Sequence, residues 1–294
     1  MTEKLEGTVT RIHSALCEVD VQGQSYECKM RRRLLESDTG ETKPVAVGDR
    51  VLITSTGPGE GVVEEALPRR TKLSRRHPRD PRLEHIIVTN VDQLLIVASV
   101  RTPPLRLGLI DRYVIAAEAG LLVPIICINK IDLAETTQEY AEPAQLYRDM
   151  GYTVLVTSAK TGEGIAELRE ALRGKSTALA GHSGVGKSAL INRVQPGLKL
   201  RTAPVTTTGR HTTSSVTLRR LDCGGYVVDT PGIREFTLWE IEREEVQQFF
   251  PGIWRLAHDC EMPDCLHLNE PNCAVRQAVE TGRLPAQRYE SYVR

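Results

Sequence analysis

Gly181-His182-Ser183-Gly184-Val185-Gly186-Lys187-Ser188 fits the pattern G-x-x-x-x-G-K-[ST], and its surroundings decide the fold. The preceding Ser176–Ala180 predicts a strand and the following Ala189–Val194 a helix. A glycine-rich turn in that context points its backbone N–H groups at phosphate oxygens. Lys187 then reaches the β- and γ-phosphates, and the Ser188 hydroxyl is placed to ligate Mg²⁺. Gly181 through Ser188, with Ala189 behind them, are candidate nucleotide ligands.

Working outward, Asn129-Lys130-Ile131-Asp132 closes the apolar run Val123–Ile128. The Asp132 carboxylate can accept two hydrogen bonds from the guanine N1–H and N2 amine, which adenine does not offer. Asn129 is expected to brace the loops and the Lys130 stem to cover the base. Ser158-Ala159-Lys160 follows the predicted strand Thr153–Val156 and would present a backbone N–H to guanine O6. This base-reading segment precedes the phosphate loop, the reverse of the order usual in guanine-nucleotide domains, so the nucleotide domain reads as circularly permuted.

Asp229-Thr230-Pro231-Gly232 ends the predicted strand Tyr226–Val228. A carboxylate there can join the Mg²⁺ shell, and the Gly232 N–H can meet the γ-phosphate. Between these motifs lies Gly209-Arg210-His211-Thr212-Thr213-Ser214. A threonine is expected here as Mg²⁺ ligand and γ-phosphate sensor, Thr213 first and Thr212 second. The magnesium set is thus Ser188, Thr213 and Asp229. Ile233 occupies the position where a glutamine would orient water, so His211 is the candidate replacement. Arg210 is the nearest candidate for an arginine finger, and slow intrinsic turnover is expected.

Alternating apolar strands (Val91–Ser99, Val123–Ile128) and helices (Ile110–Ala119, Ile165–Leu172) predict a doubly wound α/β domain, with Val216–Leu221 a further strand. Ahead of it, Leu5–Ile12, Ala15–Val21, Gln24–Lys29, Val47–Ile53 and Gly61–Glu65 predict an OB-type five-stranded barrel. Its single aromatic, Tyr26, gives little support for base stacking, so RNA contact would use backbone and shape. Residues 67–82 hold seven basic residues and one acidic among Pro68, Pro78 and Pro81, which predicts a linker or exposed loop. Net charge is zero, so a nucleic-acid surface must be local: Arg31-Arg32-Arg33 or the run from Arg69 to Arg82.

After Gly232 the pattern turns helical over Ile241–Phe250, Ala274–Thr281 and Arg288–Val293. Cys260-x4-Cys265-x-His267-x5-Cys273 supplies three thiolates and an imidazole, a set that suits a closed, structural tetrahedral Zn²⁺ site. His258 is expected at the surface. Cys17, Cys28, Cys127 and Cys223 read as thiols among apolar neighbours. The expected domains are 1–66 (barrel), 67–84 (basic linker), 85–238 (permuted nucleotide domain) and 239–294 (zinc-binding, mostly helical). No apolar run approaches the ~20 residues needed to span a bilayer, and the N-terminus carries no signal-like segment; a cytoplasmic monomer is expected.

The motifs quoted, Asn129–Asp132, Ser158–Lys160, Gly181–Ser188, Gly209–Ser214, Asp229–Gly232 and the Cys/Cys/His/Cys set, together resemble the circularly permuted ribosome small-subunit-dependent GTPase A family over essentially the whole chain. That resemblance implies a GTPase bound to and stimulated by the 30S subunit late in its maturation, through 16S rRNA. It also implies that His211 serves in hydrolysis, with Mg²⁺ accompanying GTP and GDP. The competing readings are a non-catalytic RNA-binding assembly factor and a P-loop ATPase. Because Ile233–Glu240 leads from Asp229–Gly232 into the Cys/His segment, γ-phosphate loss is expected to reorient the C-terminal domain.

Overall fold

The structure is a computed structural model; it describes residues 4–13, 16–31, 34, 44–76, 84–198, 200, 216–229 and 243–293. Strands β1 (Lys4–His13), β2 (Leu16–Val21), β3 (Gln24–Met30), β4 (Arg50–Gly57) and β5 (Glu60–Ala66) form the N-terminal unit. Their pairing runs β1-β2-β3-β5-β4 and returns to β1, closing a five-stranded barrel. Closure follows from alternation: Val9, Cys17, Val19, Cys28, Val51, Ile53 and Val63 all point into one core. Gln22 and Gly23 both take positive φ (54° and 94°), the two-residue turn whose twist matches an antiparallel pair. Asp20 caps it by accepting the Gly23 N–H at 2.6 Å.

The basic segment differs from expectation. Lys72–Arg76 is a strand, β6, paired antiparallel with β7 (Glu84–Thr89), and Leu73 is fully buried. Prolines flank β6 without entering it, so the ladder tolerates them. Asp49, fully buried, accepts from Arg69 (2.8 Å, two contacts), Thr89 Oγ1 (2.7 Å) and the Ala46 N–H (2.7 Å). Arg69 is thereby turned inward, locking the barrel to the hairpin. Lys72 likewise pairs with Glu84 (2.8 Å) and Arg31 with Glu64 (2.7 Å).

Next come β8 (Gln93–Ser99), α1 (Leu107–Ala119), β9 (Val123–Asn129), α2 (Gln138–Asp149), β10 (Thr153–Val156), α3 (Ile165–Leu172), β11 (Lys175–Ala180), α4 (Lys187–Val194), β12 (Thr217–Arg220) and β13 (Gly225–Asp229). The sheet order is β10-β9-β8-β11-β13-β12, parallel throughout except for the antiparallel β12–β13 pair. Successive side chains of β8 and β9 go to opposite faces. Leu94, Ile96, Ile126 and Ile128 pack with α1 and α2, whereas Leu95, Val97, Ile125 and Cys127 pack with α3 and α4. The sheet is doubly wound, as expected. β12 also meets β1 at Arg11↔Thr217, so the sheet continues into the barrel.

The C-terminal part contains α5 (Pro251–Ala257), α6 (Ala274–Glu280) and α7 (Ala286–Val293). Ile241–Phe250 does not form the expected helix where it is described: residues 243–245 are a turn and Val246–Phe249 one 3₁₀ turn. Pro251 explains the stop, since the residue before proline is disfavoured in the helical region; Phe250 sits at φ −118°, ψ 84°. Phe250, Ile253, Cys265, Cys273, Val275, Ala278 and Leu284 make a small core that includes Ile115 of α1. A buried ion pair joins the same surfaces. Arg288 of α7 bonds Asp111 of α1, lies 4.6 Å over the Phe250 ring, and Tyr147 of α2 donates to Asp111 at 3.0 Å.

Arg288→Met should lower the unfolding free energy in urea by about 3 kcal/mol, because it strands a buried carboxylate. Adding Asp111→Leu should restore most of that loss, since Tyr147 keeps Leu107 O as an acceptor (3.2 Å). Burial pushes the thiols of Cys17 and Cys127 up to about 12 and Cys28 up to about 11. Alkylation at pH 8.5 should therefore leave all three unmodified in native protein and label them in denaturant, as read by mass spectrometry.

Candidate functional site

The phosphate loop leaves β11 at the centre of the sheet and enters α4. Gly181, Gly184 and Gly186 have φ of 135°, 84° and 99°, values that exclude ordinary side chains. At Gly186 the space is also closed, since a Cβ would lie 2.4 Å from Asn129 Nδ2. The Lys187 ammonium lies over the loop, donating to the Gly181 carbonyl (2.7 Å) and the His182 carbonyl (3.0 Å). Ser188 and Ala189 fall in the first turn of α4, whose N-terminal dipole favours an anion. In the loop His182 is exposed, Ser183 half-buried and Val185 buried.

Asn129, fully buried at the end of β9, connects the pieces. Its Nδ2 donates to the Val185 carbonyl at 2.8 Å. Its Oδ1 accepts from Thr157 Oγ1 (3.2 Å) and from the Ala159 N–H (3.3 Å). Lys130 takes a left-handed backbone (φ 62°) that turns the chain out of the strand. Its ammonium donates to the Thr102 carbonyl, and burial lowers its pKa. Asp132 is held by Ser158 Oγ at 2.6 Å, while the exposed Lys160 stands 4.0 Å away. Ser158 Oγ in turn accepts the Thr161 N–H at 3.1 Å. Phosphate loop, Asn129–Asp132 and Ser158–Lys160 thus converge at the C-terminal ends of β11, β9 and β10, the usual ligand side of a parallel sheet. Beside them, a cleft opens between His182 and Val185 and the start of α1, at Arg106, Leu109 and Tyr113.

Asp229 ends β13, paired with Thr217 and one strand from the loop. His211, Thr212, Thr213, Arg210, Gly232 and Ile233–Glu240 lie outside the described residues. Thr157 was not singled out by the sequence; its role follows only from burial beside Asn129 and Cys127.

Cys260, Cys265, His267 and Cys273 form the second site, their ligand atoms all within 4.8 Å of one another. Cys260 and Cys273 Sγ are 3.9 Å apart, and His267 Nδ1 lies 3.5 and 3.4 Å from them. A tetrahedral ion with metal–S of ~2.3 Å and metal–N of ~2.0 Å has edges of about 3.8 and 3.5 Å, so Cys260, Cys273 and His267 already sit at coordination spacing, with Cys265 beside them. Burial pushes Cys265 up to about 12, raises Cys273 and lowers His267. Each shift opposes charge in the pocket, and a central cation reverses that balance. His258 is exposed, as expected, stacked edge-on with Trp254 (4.7 Å).

A family model described as RsgA GTPase matches residues 66–239, and the RsgA N-terminal domain model matches residues 6–63. The chain belongs to the RsgA GTPase family. The small ribosomal subunit biogenesis GTPase RsgA of Moorella thermoacetica is 43% identical over 292 residues, covering 98% of this chain and 95% of that protein. The protein of the same name from Chlorobaculum tepidum is 41% identical over 305 residues, covering 100% and 97%. Among solved structures, YjeQ from Thermotoga maritima superposes with a TM-score of 0.79 at 38% identity, covering 99% of this chain and 96% of that chain. YloQ, described as a circularly permuted GTPase, gives 0.75 at 33% identity, covering 99% and 93%. The resemblance drawn from the motifs is borne out, and with it the permuted GTPase domain and the barrel.

Gly186→Ala should reduce GDP affinity at least tenfold in calorimetric titration. The added methyl must displace Asn129, the group that holds the phosphate loop to the base-reading loop.

Proposed function

We propose that this GTPase acts on the small ribosomal subunit during late 30S maturation, hydrolysing GTP to GDP and phosphate in response to contact with 16S rRNA. The observation that carries the nucleotide part is the Asn129 amide, which brings the phosphate loop and both base-reading segments to one rim. The names of the Moorella and Chlorobaculum relatives support the ribosomal part.

In this reading Gly181 through Ala189 and Lys187 hold the phosphates. Asp132 selects guanine, its carboxylate aimed by Ser158, with Asn129, Lys130, Ala159 and Lys160 completing the base pocket and Gly232 meeting the γ-phosphate. Ser188, Thr213 and Asp229 hold Mg²⁺, and His211 positions the attacking water. Residues 1–66 and 239–294 grip rRNA on either side of the GTPase unit at 85–238, with 67–84 joining the barrel to that unit; the protein works as a cytoplasmic monomer. The Cys260/Cys265/His267/Cys273 set holds one structural Zn²⁺, a reading supported by its sulfur-rich, closed donor set.

GTP turnover with and without purified 30S subunits tests this directly. We expect stimulation of tenfold or more, and loss of most of it in His211→Ala; equal rates in all arms would leave a nucleotide-binding assembly factor. Asp132→Asn should shift preference from guanine towards xanthine nucleotides. Purified protein should carry one zinc per chain by elemental analysis, and chelation should lower its melting temperature.

A further inference from the structure

We propose that Gln247 is a positioning residue for the metal site: it fixes the tautomer and plane of His267 so that Nδ1 is the ligand atom. The inference rests on the Cys/His cluster holding a metal. His267 is fully buried, and its Nε2 lies 2.9 Å from Gln247 Oε1. The orientation of the Gln247 amide is set at its other end, where Nε2 donates to the Glu244 carbonyl at 3.1 Å. The atom facing the imidazole is therefore a carbonyl oxygen, which only accepts. His267 Nε2 must carry the proton, leaving the Nδ1 lone pair directed at the space shared with Cys260 and Cys273. A ligating histidine is commonly held in this way through its second nitrogen.

The backbone is fixed independently. His267 has φ 58°, its carbonyl accepts from Tyr289 Oη (2.6 Å), and the Leu266 carbonyl accepts from Tyr292 Oη (2.9 Å). Helix α7 thus holds the main chain of the ligand while Gln247 holds the ring. Gln247 belongs to the 3₁₀ turn Val246–Phe249, ahead of α5. Metal occupancy and the order of residues 244–249 are therefore linked: whatever loosens one weakens the other, by the same factor in both directions.

The test uses the full chain loaded with Zn²⁺. Long-range ¹H–¹⁵N correlation on histidine-labelled protein should show His267 protonated at Nε2 and metal-bound at Nδ1. Chelator competition should show Gln247→Leu binding zinc 10- to 100-fold more weakly, with Gln247→Glu, which keeps an acceptor, within about threefold of the wild type. Amide exchange over residues 244–249 should slow on zinc binding in the wild type. Metal-bound Nε2, or unchanged zinc affinity in Gln247→Leu, would overturn the assignment while leaving the metal site intact. A wild-type chain that takes up no zinc would remove the metal reading and this one with it. Should Gln247→Leu fail to fold, the wild-type spectrum and Gln247→Glu decide the matter.

Discussion

The nucleotide site depends on one buried amide. Asn129 closes β9, donates to the phosphate loop at Val185 and accepts from Thr157 and Ala159. Three loops from three strands are tied by one side chain that has no access to water, where an unmade hydrogen bond is costly. This constraint makes chain order irrelevant to the site. β11 follows β10 in sequence yet inserts between β8 and β13 at the middle of the sheet. The permutation changes which ends of the domain are free, while Asn129 and Gly186 keep their contact.

The GTPase sheet and its helices make contacts outward on both sides. At one edge β12 pairs with β13 and touches β1, so the GTPase sheet runs into the barrel. On the α1–α2 face, α1 belongs to two units at once. Arg106, Leu109 and Tyr113 line the cleft beside the phosphate loop, while Asp111 and Ile115 face the C-terminal helices through Arg288 and the small core around Phe250. A buried ion pair contributes little net stability compared with an apolar pair but tolerates only one register. It therefore fixes how the C-terminal unit, with its Cys/His cluster, sits on α1, close to the loop that would feel the phosphates.

Much of this was legible in the sequence because periodicity and motif spacing are local properties. The strands of the barrel, the buried runs β8 and β9, and helix α3 follow directly from alternation or continuous apolarity. The Cys/His spacing gave the cluster, and glycines with a Lys-Ser pair gave the phosphate loop. What was missed is non-local or competitive. β6 looked like a loop because its arginines and nearby prolines mask Leu73, and its partner β7 only becomes visible once paired. Arg69 looked like part of a nucleic-acid surface because nothing in its neighbourhood announces Asp49, twenty positions earlier. Helix α2, polar and containing Pro143, has too few apolar positions to stand out. Ile241–Phe250 has helical spacing, but where it is described it makes only a turn and one 3₁₀ turn, and Pro251 holds Phe250 out of the helical region. Gln247 carries no signal at all, since only the folded chain puts it against His267.

The central claim, that the phosphate loop and the base-reading loops are one mechanical unit, is most directly tested by amide hydrogen exchange with and without GDP. The account predicts that Val185–Ser188, residues 130–132 and Ser158–Lys160 become protected together and at the same nucleotide concentration. Protection confined to the phosphate loop, with residues 130–132 and 158–160 exchanging as in the free protein, would contradict it.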